Sequence, residues 1–322
     1  MTLAWLFPGQ STQAVGMGHN LFHGSPAARA VLELADRTLG FALTRVMFEG
    51  PAEKLQLTVN AQPAIVATSL AALAALRECW TKARGGEPPA PSFVAGHSVG
   101  EYAALVAAAA VDSGTGLKLV HARAEAMHTA GQARPGGMTA VLGLSRDAVE
   151  AACHAARAQV VGSYVSVANH NADTQVVIAG DREGLAAAAT LCQEAGARRC
   201  VPLAVSAAFH SAAMESATPA LELAVREAAI NDARVAVVAN VTAAPLMSHE
   251  ALRAELVAQV ARPVLWSDSV RCMRESGVDS FLELGPGKVL TSLIQRLDSA
   301  PAAFAVGDVE SARAAVDWLA AR

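Results

Sequence analysis

The stretch from Phe93 to Glu101, Phe-Val-Ala-Gly-His-Ser-Val-Gly-Glu, constrains the fold more than any other part of this 322-residue chain. Residues 93–96 read as a buried strand, residues 96–100 match G-x-S-x-G, and the alanine-rich run 101–110 reads as a helix. A strand that runs straight into such a turn and then a helix is the connection of an α/β sheet. The glycines permit the sharp turn that lifts a serine above the sheet edge. Elsewhere apolar runs alternate with alanine-rich amphipathic segments, starting with residues 3–7, which Pro8-Gly9 breaks. Ser25 and Pro26 open a helix ending near Gly40, Asn60 is expected to cap a long helix reaching about Cys79, and residues 85–92 form a surface loop.

From about Gly131 the pattern changes. Strand 138–142, helix 145–158, strands 164–168 and 175–179, helix 182–195 and strand 199–203 follow in the order βαββαβ, which predicts a ferredoxin-like unit. The expected division is a large catalytic domain of residues 1–130 and 204–322 with a small subdomain, 131–203, inserted into it. The large domain resumes with helix 214–229, strand 235–240, helix 248–260, strand 281–284 and a closing helix from Glu310.

With 53% hydrophobic and 17% charged residues the chain can build a substantial core, which excludes wholesale disorder. No run of twenty apolar residues occurs, and the longest, 103–111, is mostly alanine, so no membrane span is expected. The 25 basic residues are scattered over a chain of net charge −4, the opposite of a nucleic-acid footprint. Five cysteines, odd in number and never as CxxC, suit neither a disulfide framework nor a zinc site, so no metal is expected. The first residues lack a secretory pattern, and the expectation is a cytoplasmic protein.

Ser98, at the centre of G-x-S-x-G, is the candidate nucleophile, and a hydroxyl needs a base, which in this topology follows it in the chain. His154, His170, His210 and His249 all qualify. His210 is the best placed, just past a predicted strand end where loops carry function, although a loop histidine satisfied by backbone fits the local pattern as well. Gln10, in the turn after the first strand, would present its N–H at the sheet edge that carries Ser98 and could serve as an oxyanion donor. Locally it also reads as an ordinary turn residue, and Arg123 as a surface arginine on an apolar-rich helix.

Across nearly the whole chain the ordered motifs resemble those of malonyl-CoA:acyl carrier protein transacylases, including the discrete acyltransferases that serve polyketide synthases. Residues 7–13 (FPGQSTQ) are similar to the family's FPGQGSQ, Gln62-Pro63-Ala64 to its QPA, and residues 96–102 to its GHSxGEY. Residues 283–288 are similar to its E-x-G-P-G-K, Asn169 and Asn171 to its N-x-N, and residues 259–264 to its Q-xxx-PV segment, while Arg123 falls at its substrate arginine. The resemblance implies an α/β-hydrolase-like core with a ferredoxin-like insertion. It implies Ser98 as the acyl-accepting nucleophile, His210 as its base oriented by a backbone carbonyl near Gln259, and the N–H groups of Gln10 and Val99 as the oxyanion hole. Arg123 would grip the malonyl carboxylate bidentately, with His97, Gln62 and Phe209 about the substrate; Ala208-Phe209-His210 resembles the AFH of malonyl-selective members. One departure is Ser11-Thr12 for the family's Gly-Ser, which would strain the turn if Ser11 takes a positive φ.

The implied substrates are malonyl-CoA and the phosphopantetheine arm of an acyl carrier protein, with no bound cofactor, and the chain is expected to act as a monomer. Three other readings stay open: the malonyl transferase subunit of a malonate decarboxylase, an acyl-thioester hydrolase of the same fold, and an inactive carrier-protein docking module. The last would be expected to lack Ser98 or His210, and both are present.

Overall fold

A computed structural model describes residues 2–205, 207–297 and 299–322. In chain order its strands are β1 (Leu3–Phe7), β2 (Phe93–Gly96), β3 (Gly137–Leu142), β4 (Val165–Ala172), β5 (Gln175–Gly180), β6 (Arg199–Pro202), β7 (Ala236–Val238), β8 (Pro245–Leu246), β9 (Ser280–Leu284) and β10 (Ala302–Val306). Six of them form one sheet in the order β10-β9-β1-β2-β7-β8, parallel except for the β7–β8 pair. β1 is buried along its whole length and β2 almost so, as strands covered by helices on both faces must be. The remaining four form an antiparallel sheet, β4-β5-β3-β6, with the helices Arg146–Gln159 and Arg182–Glu194 between its strands. This is the ferredoxin-like order, and the fold class is the expected one: an α/β core carrying a small ferredoxin-like unit.

β1 and β2 run side by side in register from Ala4 opposite Phe93 to Phe7 opposite Gly96. Their carboxyl ends therefore deliver the Phe7–Gln10 turn and the serine turn to one point, where open α/β sheets bind ligands. The small sheet leans on this edge. His170 N–H bonds Val264 O at 2.8 Å, and Val264 N–H bonds Ala168 O at 2.9 Å, so the backbone of β4 is stitched to the core.

The helices that carry site residues are locally well specified. Asp112 caps Ser113–Ala133 by accepting Thr115 N–H at 2.7 Å, and Ser25 caps the helix that Pro26 opens. The long helix corrects the expectation for Asn60. It starts at Thr58 after Leu57, runs to Arg84, and has Asn60 inside its first turn, where the side chain donates to Lys54 O at 2.8 Å. Packing overrides the cap signal, since this helix passes through the core with most of its first twenty residues buried. By length and composition it is apolar enough to cross a membrane, yet 89% of its most apolar window is buried inside the protein. Helices Trp266–Glu275 and Val289–Ile294 and strand β10, none of them expected from sequence, complete the core.

Candidate active site

The serine turn is built by steric necessity. A Cβ on Gly96 would lie 2.0 Å from Glu101 N, and one on Gly100 would lie 2.1 Å from Phe7 O, so neither position admits a side chain. Between them Ser98 adopts φ 52°, a left-handed conformation that costs a non-glycine residue about 1–3 kcal/mol. Asn240, after β7, holds it there. Its Oδ1 accepts Ser98 N–H at 2.6 Å while its Nδ2 donates to Gly96 O at 2.7 Å, clamping both sides of the turn.

Of the four candidate histidines only His210 meets Ser98, with Nε2 2.6 Å from Oγ. His154 is exposed, His249 pairs with Asp232, and His170 faces Asp268 at 3.5 Å. Nδ1 of His210 lies 2.8 Å from Gln259 O, and because a carbonyl only accepts, Nδ1 carries the proton and Nε2 is the free acceptor. Burial, reinforced by the charge of Arg123, pushes the His210 pKa down to about 3, so the ring is neutral throughout the physiological range. The Gln259 carbonyl thus stands against Nδ1 where a Ser-His-Asp triad has its carboxylate.

Arg123 is fully buried on the helix Ser113–Ala133, beneath Ser98. One terminal nitrogen donates to Gln62 Oε1 at 2.6 Å, the other to Gln259 Oε1 at 2.7 Å and to Ser98 Oγ at 3.0 Å, and Nε has no partner. All three acceptors are neutral oxygens. Gln62 thus holds Arg123. Glu101, Asn240 and Glu255 complete this polar layer, and sequence reasoning missed their roles. Glu101 lies within residues 96–102, the segment similar to GHSxGEY, and that is its signal in the sequence.

A cavity of about 200 Å³ opens above Ser98 between the two sheets, walled by Gln10, His97, Phe209 and His210 on the core side and by Ala140 and Val177 of the small sheet. His97 is fixed by Asn171, 2.8 Å from its Nε2, and by the Trp266 ring, 5.5 Å away. The backbone N–H groups of Gln10 and Val99 find no acceptor among the described residues. Ser11 does adopt positive φ, 77°, and its N–H is taken by Gln13 Oε1 at 2.8 Å, so the strained turn is locally braced.

Comparison with known proteins agrees with this arrangement. Residues 4–317 match the acyl transferase domain family. The malonyl CoA-acyl carrier protein transacylase of Bacillus subtilis (strain 168) is 38% identical over 317 residues, covering 98% of this chain and 97% of its own. The acyl-carrier-protein S-malonyltransferase of Burkholderia pseudomallei 1710b is 39% identical with a TM-score of 0.90 over 98% of this chain and 100% of its own. A malonyl-transacylase solved in complex with its type II polyketide synthase acyl-carrier protein is 36% identical with a TM-score of 0.91, covering 98% and 99%. With a serine turn, a neutral histidine and a buried arginine assembled at the edge of this α/β sheet, the chain belongs to the malonyl CoA-acyl carrier protein transacylase family.

Proposed function

We propose that Ser98 takes a malonyl group from malonyl-CoA and passes it to the phosphopantetheine thiol of an acyl carrier protein. One observation carries this reading: Ser98 Oγ lies 2.6 Å from the free Nε2 of His210 and 3.0 Å from a buried guanidinium that has only neutral partners. His210 removes the Ser98 proton as Oγ attacks the thioester carbonyl. The C–S bond then breaks, and the CoA sulfur leaves with that proton. The N–H groups of Gln10 and Val99 face the developing oxyanion. In the second half-reaction His210 deprotonates the pantetheine thiol, sulfur attacks the ester, and Ser98 recovers its proton. No metal or bound cofactor is needed, because the thioester supplies an activated acyl group and Ser98 with His210 supplies the proton transfer.

Arg123 would exchange its Ser98 and glutamine partners for the malonyl carboxylate, a bidentate pair that an unsubstituted acyl group cannot make. That preference favours a malonyl transferase over a hydrolase of simple acyl thioesters, whose substrates bring no carboxylate for the guanidinium to pair with. Phe209 beside His210 narrows the space at the acyl α-carbon, and His97, held by Asn171, lines the same cavity. We infer further that the chain is a cytoplasmic monomer whose only macromolecular partner in the reaction is the carrier protein, docked transiently at the cavity mouth. Intact mass tests the central reading. Malonyl-CoA should add one malonyl unit, a carrier protein bearing its arm should remove it, and Ser98→Ala should abolish the adduct; an undiminished adduct in that variant refutes Ser98 as the acceptor.

A further inference from the structure

Beneath the reacting atoms lies a polar cluster that the acyl transfer itself does not touch. Glu101 follows the serine turn and Glu255 lies near the end of the helix His249–Ala258; they are 1% and 7% exposed, and their carboxyls are neighbours, accepting the consecutive backbone N–H groups of Asn240 and Val241. Glu101 Oε1 accepts both the backbone N–H and the Nδ2–H of Asn240, each at 3.1 Å, and its Oε2 accepts Nε2–H of Gln259. Glu255 Oε1 accepts Val241 N–H at 2.9 Å. The two residues held by Glu101 are those on which the site depends. Asn240 clamps the Ser98 turn, while Gln259 bonds Ser98 O through its amide, Arg123 through Oε1 and His210 through its backbone carbonyl.

Two neighbouring carboxyl groups buried this deeply cannot both ionise, because each charge is desolvated and repels the other. One proton is therefore retained. With it the layer is close to neutral, a single negative charge on the pair against the single positive charge of Arg123. We propose that Glu101 and Glu255 share one proton and act as a positioning pair, which fixes Asn240 and Gln259 and through them the nucleophile turn, His210 and Arg123. This inference rests on the acyl-transfer reading only in the choice of substrate for one assay.

The geometry predicts an asymmetry between isosteric variants. Each oxygen of Glu101 accepts an N–H from a different residue, so in Glu101→Gln the new amide must point a donor at either Asn240 or Gln259, and one clamp is lost. Glu255 accepts one backbone N–H and faces Glu101, so Glu255→Gln satisfies both neighbours, its amide donating where the shared proton was. Burial and mutual repulsion place both carboxyls above the usual carboxylate range. The groups around them are Arg123, lowered by burial, Tyr102, raised by burial, and His210, which titrates near 3. Loss of the shared proton should therefore appear as an alkaline fall in Ser98 reactivity.

The test follows the rate at which a fluorophosphonate labels Ser98, which reads the nucleophile without malonyl-CoA, alongside malonyl-enzyme formation. Glu101→Gln should slow both roughly ten- to hundredfold, as expected for an unmatched buried donor, whereas Glu255→Gln should slow them less and remove the alkaline fall. Infrared difference spectra at neutral pH should show a protonated-carboxyl band in the wild type that disappears in either variant. Glu283, also buried and raised, contributes equally to all three proteins and cancels. Equal rate losses in the two variants, an alkaline fall that survives Glu255→Gln, or no difference band would each overturn the proposal. The labelling asymmetry between the two variants, together with a wild type that forms no malonyl adduct, would support the pair and refute malonyl transfer.

Discussion

Replacing Arg123 with alanine should separate recognition of malonyl from general catalysis. The guanidinium is fully buried, its two terminal nitrogens make hydrogen bonds of 2.6, 2.7 and 3.0 Å to neutral oxygens, and Nε has no partner. A malonyl carboxylate on Ser98 would add two charge-assisted hydrogen bonds at about 1.5–3 kcal/mol each, so losing them should cost roughly 3–6 kcal/mol. In rate that is about 10²- to 10⁴-fold in kcat/KM. An acetyl group has no carboxylate and should be spared this loss. The mutation also removes the hydrogen bond to Ser98 Oγ and loosens Gln62 and Gln259, damage that slows both substrates by a common factor. The ratio of acylation rates with malonyl-CoA and acetyl-CoA, read by quenched intact mass on wild type and Arg123→Ala, cancels that factor. The ratio should fall by at least about 10²-fold, and Arg123→Lys, a point charge without the planar fork, should fall between the two. An unchanged ratio would show that Arg123 serves only the structure of the layer and refute its pairing with the substrate.

His210→Ala should slow acylation by about 10²–10⁴-fold, the usual contribution of a general base, measured in the same assay. Because His210 is held near 3 when folded, against an ordinary value near 6.5, the unfolded chain binds the extra proton first. Stability should accordingly be complete above about pH 6.5 and decline towards pH 3 by roughly 1.4 kcal/mol per unit from this group, and urea titrations of His210→Gln should show a shallower decline. Gly100→Ala should yield no folded protein by circular dichroism, since its Cβ would sit 2.1 Å from Phe7 O; normal ellipticity would refute the steric account of the turn. Phe209→Ser should raise the methylmalonyl-to-malonyl acylation ratio by about tenfold, in keeping with a methyl-sized discrimination of 1–3 kcal/mol, and an unchanged ratio would remove Phe209 from the selectivity argument.

Local chemistry wrote part of this site into the sequence. The glycines at 96 and 100 are legible from their spacing about Ser98 in a strand-to-helix context, although only Gly96 is crowded by the turn's own backbone and Gly100 is crowded by Phe7 of the neighbouring strand. The βαββαβ order is legible because periodicity changes sharply from two to 3.6 residues along residues 137–202. The Asn60 cap misled because an N-cap signal is worth only about 1 kcal/mol, less than the burial of the apolar helix around it.

What sequence alone determined was the α/β class, the sharp serine turn and, through resemblance of ordered motifs, a family and its expected residues. What only the tertiary structure decided was which groups meet. His210 stands 112 positions from Ser98, Gln259 is 49 from His210, and Asn240 is 142 from Ser98, so no local pattern links them. The choice of His210 over His154, His170 and His249, the placing of Arg123 among neutral oxygens, and the pairing of Glu101 with Glu255 all depend on burial. Water removed from around a charge or a hydrogen bond changes its energy by several kcal/mol, and the chain acquires that exclusion only when its distant segments pack together.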